Sequence, residues 1–118
     1  MALIPPSELR EVQGISGEEK KRIRDFIQGA VYCCCKNRSN EWFSMRDLMG
    51  GENGNWEETP MDALYQRHAR AGLTSDEAVD RAGKDSGWLL KSVIAQDRRE
   101  FETKEEERIR KYRWVAGA

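Results

Sequence analysis

The sequence predicts a mainly α-helical single domain that carries a small β-hairpin, an α+β class. Two capping boxes predict helix starts, one at Ser16-Gly-Glu-Glu19 and one at Thr74-Ser-Asp-Glu77. The segment 101–115 alternates from one residue to the next, as a strand pair does. With 118 residues, the chain can bury one modest core without metal or disulfide support. We expect a flexible N-terminal arm over residues 1–15 and a folded domain over residues 16–118.

Charge is abundant but nearly balanced. Charged residues make up 35% of the chain and hydrophobic residues 38%, with a formal net charge of −1. Residues 1–80 hold ten Lys and Arg against fourteen Asp and Glu, a net of −4, whereas residues 81–118 hold ten against seven, a net of +3. Positive charge therefore collects in the last third of the chain, where a surface that binds a polyanion is expected.

The chain start and the cysteines indicate a compartment. Met1-Ala-Leu-Ile-Pro-Pro6 lacks the basic and long apolar runs of a signal peptide, and no stretch approaches the roughly 20 apolar residues that span a bilayer. The three cysteines are adjacent and odd in number, which argues against a disulfide framework. We expect a cytoplasmic protein that has no membrane partner.

The first half of the domain is expected to contain one long helix and several short elements. After the first capping box, apolar residues recur at helical spacing and predict one apolar stripe: Ile23, Phe26, Ile27, Ala30, Val31 and Cys34. The segment 41–44 has β propensity, and Ser44 is placed to cap a short helix over 45–49. The glycines and asparagines of 50–55 predict a loop.

The second half is expected to contain three helices and the hairpin. One helix starts at Thr59-Pro60, buries His68 on its apolar face and stops at Gly72. A short helix is expected over Thr74–Gly83, followed by a turn at 84–85 and a further helix over about 85–98. The hairpin follows over 101–115.

In its order of elements the chain resembles the winged helix-turn-helix superfamily. The resemblance depends on the helix over 74–83, the turn at 84–85, the helix over 88–97 and the hairpin over 101–115. These features are architectural rather than a sequence motif. The resemblance implies a non-enzymatic protein that binds double-stranded DNA in a regulatory or accessory role, with the last helix in the major groove and the hairpin as the wing.

The candidate nucleic-acid-binding residues lie on that helix and hairpin. Lys and Arg can reach phosphates or guanine, and Gln can pair with adenine. The predicted set is Lys91, Gln96, Arg98, Arg99, Lys104, Arg108, Arg110, Lys111 and Arg113. On the predicted helix, Asp85, Ser86 and Ser92 also belong to the face expected to be exposed.

Two other interpretations remain open. The cations can be a solvated face balanced by the nearby acids, since Glu102 and Glu105–Glu107 stand among them. The same fold can also be a protein–protein interaction or assembly module that docks a protein partner or forms a homodimer. Trp56 in the polar loop would then be an exposed anchor, although folding back over the core is the more ordinary role for such a side chain.

The sequence indicates no catalytic or metal site and no cofactor. Adjacent helical residues point about 100° apart, so Cys33-Cys-Cys35 does not converge on one tetrahedral ion. His68 is the sole histidine and lacks a nucleophile or carboxylate at recognisable spacing. No phosphate-binding glycine motif is present. We therefore expect that the protein is not an enzyme.

Overall fold

The computed structural model describes residues 11–38, 40–49 and 56–115. These residues form four helices and one two-stranded antiparallel sheet, which confirms the mainly α class with a small hairpin. The elements are α1 (Gly17–Asn37), α2 (Met45–Leu48), α3 (Asp62–Arg70), α4 (Ser75–Gln96), β1 (Phe101–Glu106) and β2 (Ile109–Trp114).

Helix α1 begins at the predicted capping box. The Ser16 hydroxyl accepts a hydrogen bond from the Glu19 amide at 3.0 Å, and the Glu19 carboxylate accepts one from the Ser16 amide at 3.0 Å. These bonds hold the pKa of Glu19 below its usual value. Ile23, Ile27 and Val31 are fully buried, so this part of the predicted stripe packs on the core. Phe26 is 37% exposed, and Cys35 rather than Cys34 continues the buried face.

The segment between α1 and α2 joins the sheet at one residue. Phe43 and Tyr112 each donate a backbone hydrogen bond to the other at 2.8 Å, which places residue 43 beside β2 as an isolated antiparallel bridge. The predicted β propensity of 41–44 is thus confirmed at its central position. Ser44 then caps the four-residue helix α2, as predicted.

Helix α3 begins at Asp62, two residues later than predicted. Thr59 is used in the turn before the helix, where its hydroxyl donates to the Trp56 carbonyl at 2.7 Å. His68 is buried on the apolar face, as predicted. The helix ends before Gly72, whose φ of +93° is one that glycine adopts without strain.

Helix α4 overturns the expected break at Gly83. It runs without interruption from Ser75 to Gln96, so the predicted turn at 84–85 is wrong. Its buried residues keep helical spacing through the glycine: Ala78, Ala82, Ser86, Leu89, Leu90, Val93 and Ile94. Burial of this continuous stripe outweighs the roughly 1 kcal/mol that one glycine costs a helix. The turn that precedes α4 covers residues 71–74 and ends in the predicted cap, Thr74.

The hairpin has the predicted position. Its register pairs Phe101 with Trp114 and Glu106 with Ile109, so residues 107 and 108 form a two-residue connection. Phe101 and Tyr112 are each 1% exposed and face the core. The Phe43 ring packs against both, with centroids 6.2 Å from Phe101 and 6.1 Å from Tyr112. The sheet is therefore fixed to the helical part by aromatic packing.

Two segments adjoining undescribed residues contribute to the core. Val12 is 5% exposed, so the end of the expected arm packs against the domain; residues 1–10 lie outside the described residues. Trp56 is 4% exposed, which confirms its ordinary role in the core and removes it as an exposed anchor. The loop predicted over 50–55 also lies outside the described residues. Within the described ranges, no helix is long and apolar enough to cross a bilayer.

Candidate nucleic-acid interface

A groove of about 720 Å³ lies between α4 and the hairpin. We call it the α4–hairpin groove. One wall is a face of α4, the opposite wall is the end of the hairpin, and the start of α2 closes one side. Its polar and charged lining consists of Ser44, Arg46, Asp76, Asp80, Lys84, Ser86, Lys91, Glu105, Arg108, Arg110 and Tyr112. The turn after α3 and the unbroken α4 together place this face of the helix opposite the hairpin.

Cations outnumber carboxylates along this groove. Five Lys and Arg side chains line it against three Asp and Glu, although the whole chain has a net charge of −1. Arg46 and Arg108 are exposed and form no ion pair with any residue of 11–38, 40–49 or 56–115. Arg110 approaches Glu105 only at 4.0 Å. Of the five groove cations, Arg46 and Arg108 are therefore open to an anion, whereas Lys84 is paired with Asp80 at 3.2 Å.

The hairpin turn places Arg108 at the groove in an uncommon backbone conformation. Glu107 and Arg108 have φ of +53° and +67°, the left-handed region that both central residues of a type I′ turn occupy. Such turns favour Asn-Gly. Side chains with a Cβ cost roughly 1–2 kcal/mol each in that region. Glu107 and Arg108 thus occupy turn positions at which Asn or Gly would give a more stable fold.

The α4 wall of the groove carries no side chain at two positions, Gly83 and Gly87. A Cβ added at Gly87 would meet no atom within 4 Å, so the helix backbone can be approached closely. Beneath them, Ser86 donates a hydrogen bond to the Gly83 carbonyl at 2.7 Å.

Tyr112 also lines the groove from the hairpin side. Its buried hydroxyl has no hydrogen-bond partner in the part of the chain that the structure describes. Burial raises the pKa of this phenol far above its ordinary value, so the group stays neutral. A neutral hydroxyl under a positively charged groove adds no charge that would oppose an anion.

The structure separates the nine predicted binding residues into three places. Lys91, Arg108 and Arg110 line the α4–hairpin groove. Gln96, Arg98 and Arg99 line a second pocket of about 500 Å³ at the C-terminal end of α4. Lys104, Lys111 and Arg113 lie on the outer face of the hairpin. The nine residues thus divide between two pockets and the outer face of the hairpin.

In the second pocket, Arg99 is held by its neighbours. Its guanidinium lies 4.6 Å from the Tyr32 ring centroid and 5.3 Å from that of Trp114. Asp97, whose side chain is 1% exposed, pairs with it at 3.3 Å and also accepts a hydrogen bond from Gln28 at 2.8 Å. These contacts link the end of α4 to α1 and β2, so Arg99 helps to hold the fold together.

On the outer face of the hairpin, each cation meets a carboxylate. Lys111 lies 2.8 Å from Glu106, and Lys104 lies 3.4 Å from the same side chain. Arg113 donates to both carboxylate oxygens of Glu102 at 3.0 Å. The charges of this face are therefore balanced, and Lys104 and Arg113 also lie over the Trp42 ring, 4.4 and 4.7 Å from its centroid.

Two residues expected on the exposed face of α4 point inward. Ser86 is 1% exposed. The Asp85 side chain is 17% exposed and lies 2.7 Å from His68. Both residues belong to the unbroken α4. Asp85 is turned toward α3, where it contacts His68, and the buried Ser86 lines the α4–hairpin groove. Sequence reasoning conversely missed Arg46 and Lys84 in the groove. The Phe43–Tyr112 bridge, a tertiary contact, holds the start of α2 and with it Arg46 beside the hairpin.

The three cysteines are free and differ in exposure. Cys33 is exposed, Cys34 is intermediate and Cys35 is buried. Burial raises the pKa of Cys35 to about 11 and also raises that of Cys34. Across the described ranges, no group of three or more His, Cys, Asp or Glu is arranged to hold a metal ion.

Comparison with models of known protein families, with curated proteins and with solved structures finds no match to this chain. The interpretation of the groove therefore depends on its own geometry and charge.

Proposed function

We propose that this chain is a non-enzymatic winged-helix module that binds double-stranded DNA through the α4–hairpin groove. The observation that carries the proposal is the cationic lining of a groove bounded by a helix on one side and a hairpin on the other. A helix fits the major groove of duplex DNA, and a hairpin beside it can reach the adjacent backbone. The free cysteines suit a reducing compartment such as the cytoplasm.

The order of elements supports the winged-helix part of this proposal. A long first helix, a bridging residue, a helix–turn–helix pair and a hairpin follow one another. The pair in this proposal is α3 and α4, joined by a turn over 71–74, rather than the two halves of α4 that the sequence indicated. Such short turns commonly join the two helices of a helix-turn-helix. Helix α4 is then the helix that enters the major groove.

The distribution of charge supports the DNA-binding part. Phosphate contacts from Lys and Arg supply most of the affinity of a protein for DNA without regard to sequence. Arg46, Arg108 and Arg110 border the groove from two different elements. These cations suit phosphates beside a helix that lies in the major groove. The glycines of α4 remove side chains that would hold a duplex away.

The proposal is tested with two triple variants of equal charge. Replacement of Arg46, Arg108 and Arg110 by Ala removes three groove cations, and the salt dependence of duplex binding is expected to fall by about three phosphate contacts. The control variant replaces Lys104, Lys111 and Arg113, which removes the same charge from the outer face. Its salt dependence is expected to match the unmodified protein. Equal losses in both variants would remove the groove from the account.

A second candidate function is a protein-docking module that uses the same groove. The acids on α4 favour it, because Asp76 and Asp80 line the wall that would face the duplex and would repel phosphates. Val79, Trp88 and Ile109 add apolar surface to the same lining. A protein partner or a second copy bound there would depend on these side chains and respond weakly to salt. Salt-insensitive association that is lost in Trp88→Ala would favour this candidate over DNA.

A further inference from the structure

The acid on the second turn of α4, Asp80, forms an i,i+4 pair that favours the helix, and it also lines the groove. Asp76 lies in the first turn, where the helix dipole favours a negative charge. Asp80 lies one turn further on, beyond the reach of that effect, yet it faces the α4–hairpin groove. A carboxylate there opposes phosphate binding. In the proposed complex its contact is therefore with a group other than a phosphate.

Asp80 forms a pair with Lys84 on the same face. Lys84 Nζ lies 3.2 Å from Asp80 Oδ2, and the two side chains are 72% and 67% exposed. The pair thus presents a hydrogen-bond donor and an acceptor side by side to whatever enters the groove. The neighbouring glycines, at 83 and 87, carry no side chain that would keep a partner away from these two groups.

We infer that Asp80 and Lys84 together read a G·C base pair in the major groove of bound DNA, with Asp80 on cytosine and Lys84 on guanine. The inference rests on the proposed function. Guanine offers two acceptors, N7 and O6, which suit a Lys ammonium, and the cytosine N4 amino group donates to a carboxylate. These two acceptors and one donor are neighbours along the major-groove edge of the base pair, and the Lys84 and Asp80 side chains are likewise neighbours on α4. An A·T pair fits less well, since beside its N6 donor adenine offers the ammonium only one acceptor, N7, where guanine offers two.

In this proposal Asp80 acts through a hydrogen bond to a base rather than through its charge. Phosphate contacts position a protein on DNA, whereas contacts to base edges supply its sequence preference. Asp80 lowers the electrostatic affinity for any duplex and raises the discrimination among duplexes. Arg46 and Arg108 then supply affinity, and the Asp80–Lys84 pair supplies selectivity.

The test is selection from a randomised duplex library with the full chain, followed by affinity measurements on the enriched site. The unmodified protein is expected to prefer cytosine over other bases at one position by roughly 5- to 150-fold. In Asp80→Asn the preference at that position is expected to move to adenine, because Asn pairs with adenine N6 and N7. Asp25→Asn is the matched control, since Asp25 forms an exposed i,i+4 pair with Lys21 on α1, outside the groove. Its preference should equal that of the unmodified protein.

Three outcomes overturn the inference. Duplex binding with no base preference would leave the proposed function in place and make the Asp80–Lys84 pair an ordinary surface ion pair. An unchanged cytosine preference in Asp80→Asn would assign the reading to another residue. Absence of binding to any duplex would remove the proposed function and the inference with it. Circular dichroism checks that both variants are folded.

Discussion

His68 Nε2 lies 2.7 Å from Asp85 Oδ2, in a contact that joins α3 to α4. Both side chains are nearly buried, with 9% and 17% exposed. Arg67 stands 3.8 Å from the same carboxylate oxygen. The contact thus fixes the turn between the two helices, and with it the angle at which α4 meets the groove.

Removal of that carboxylate is expected to destabilise the fold. Asp85→Ala leaves a largely buried His68 without its partner, and we expect the free energy of unfolding to fall by about 1–3 kcal/mol. Urea denaturation measures the change. Asp25→Ala, which breaks an exposed pair on α1, should change stability by less than about 1 kcal/mol. Equal effects in the two variants would deny the His68–Asp85 contact a structural role.

The hairpin turn is expected to trade stability for binding. Glu107→Asn should stabilise the protein by about 1 kcal/mol because Asn tolerates the left-handed region better. It also removes a negative charge, so duplex affinity should not fall. Arg108→Gly should stabilise by a similar amount but lower duplex affinity through loss of the Arg108 cation. Thermal unfolding and anisotropy titrations measure the two effects. A loss of stability in both variants would show that the turn is not strained.

We expect Gly87 to leave the α4–hairpin groove accessible rather than to stabilise the fold. Gly87→Ala and Gly29→Ala each place a methyl group in open space within a helix, and each should stabilise the protein by about 0.5–1 kcal/mol. Substitution by a larger residue distinguishes the effects at the two positions. Gly87→Leu should obstruct the α4–hairpin groove and weaken duplex binding, whereas Gly29→Leu on α1 should not. Duplex affinity that is equal in the two leucine variants would place binding elsewhere.

The three thiols are expected to react at different rates. Because the pKa of Cys35 is about 11, only about one in a thousand of its side chains is a thiolate at about pH 8. Burial slows it further. Exposed Cys33 should therefore react first with a thiol reagent, and Cys33→Ser should abolish the fast phase. The rate for Cys35 should rise with pH up to about 11. A fast phase that persists in Cys33→Ser would contradict the burial order.

Sequence reasoning located most elements because their signals are local. The capping box at Ser16, the cap at Thr74 and the strand alternation after Phe101 depend on neighbouring residues only. The helix break predicted at Gly83 was wrong. A glycine indicates a helix stop in the sequence, and the burial of Ala82 and Ser86 on one continuous stripe becomes visible only in the structure. The resulting misplaced turn reversed the expected orientation of Asp85.

The candidate site was predicted less completely than the fold. Lys91, Arg108 and Arg110 were named from charge and position, and they do line the groove. Arg46 could not be named, because it is about forty-five residues from the nearest of these cations in the chain and reaches them through a tertiary contact. The pairing of Lys111 with Glu106 across the hairpin likewise depends on strand register. Register follows from the turn, which the sequence does not mark with glycine or asparagine.

The measurement that tests the central claim most directly is a fluorescence-anisotropy titration of the full chain with random duplex DNA across a series of salt concentrations. If the α4–hairpin groove binds DNA with three to five phosphate contacts, the logarithm of the affinity should fall linearly with the logarithm of salt, with a slope of about −3 to −4.5. No binding at about 50 mM salt, or an affinity that salt does not change, would contradict the account.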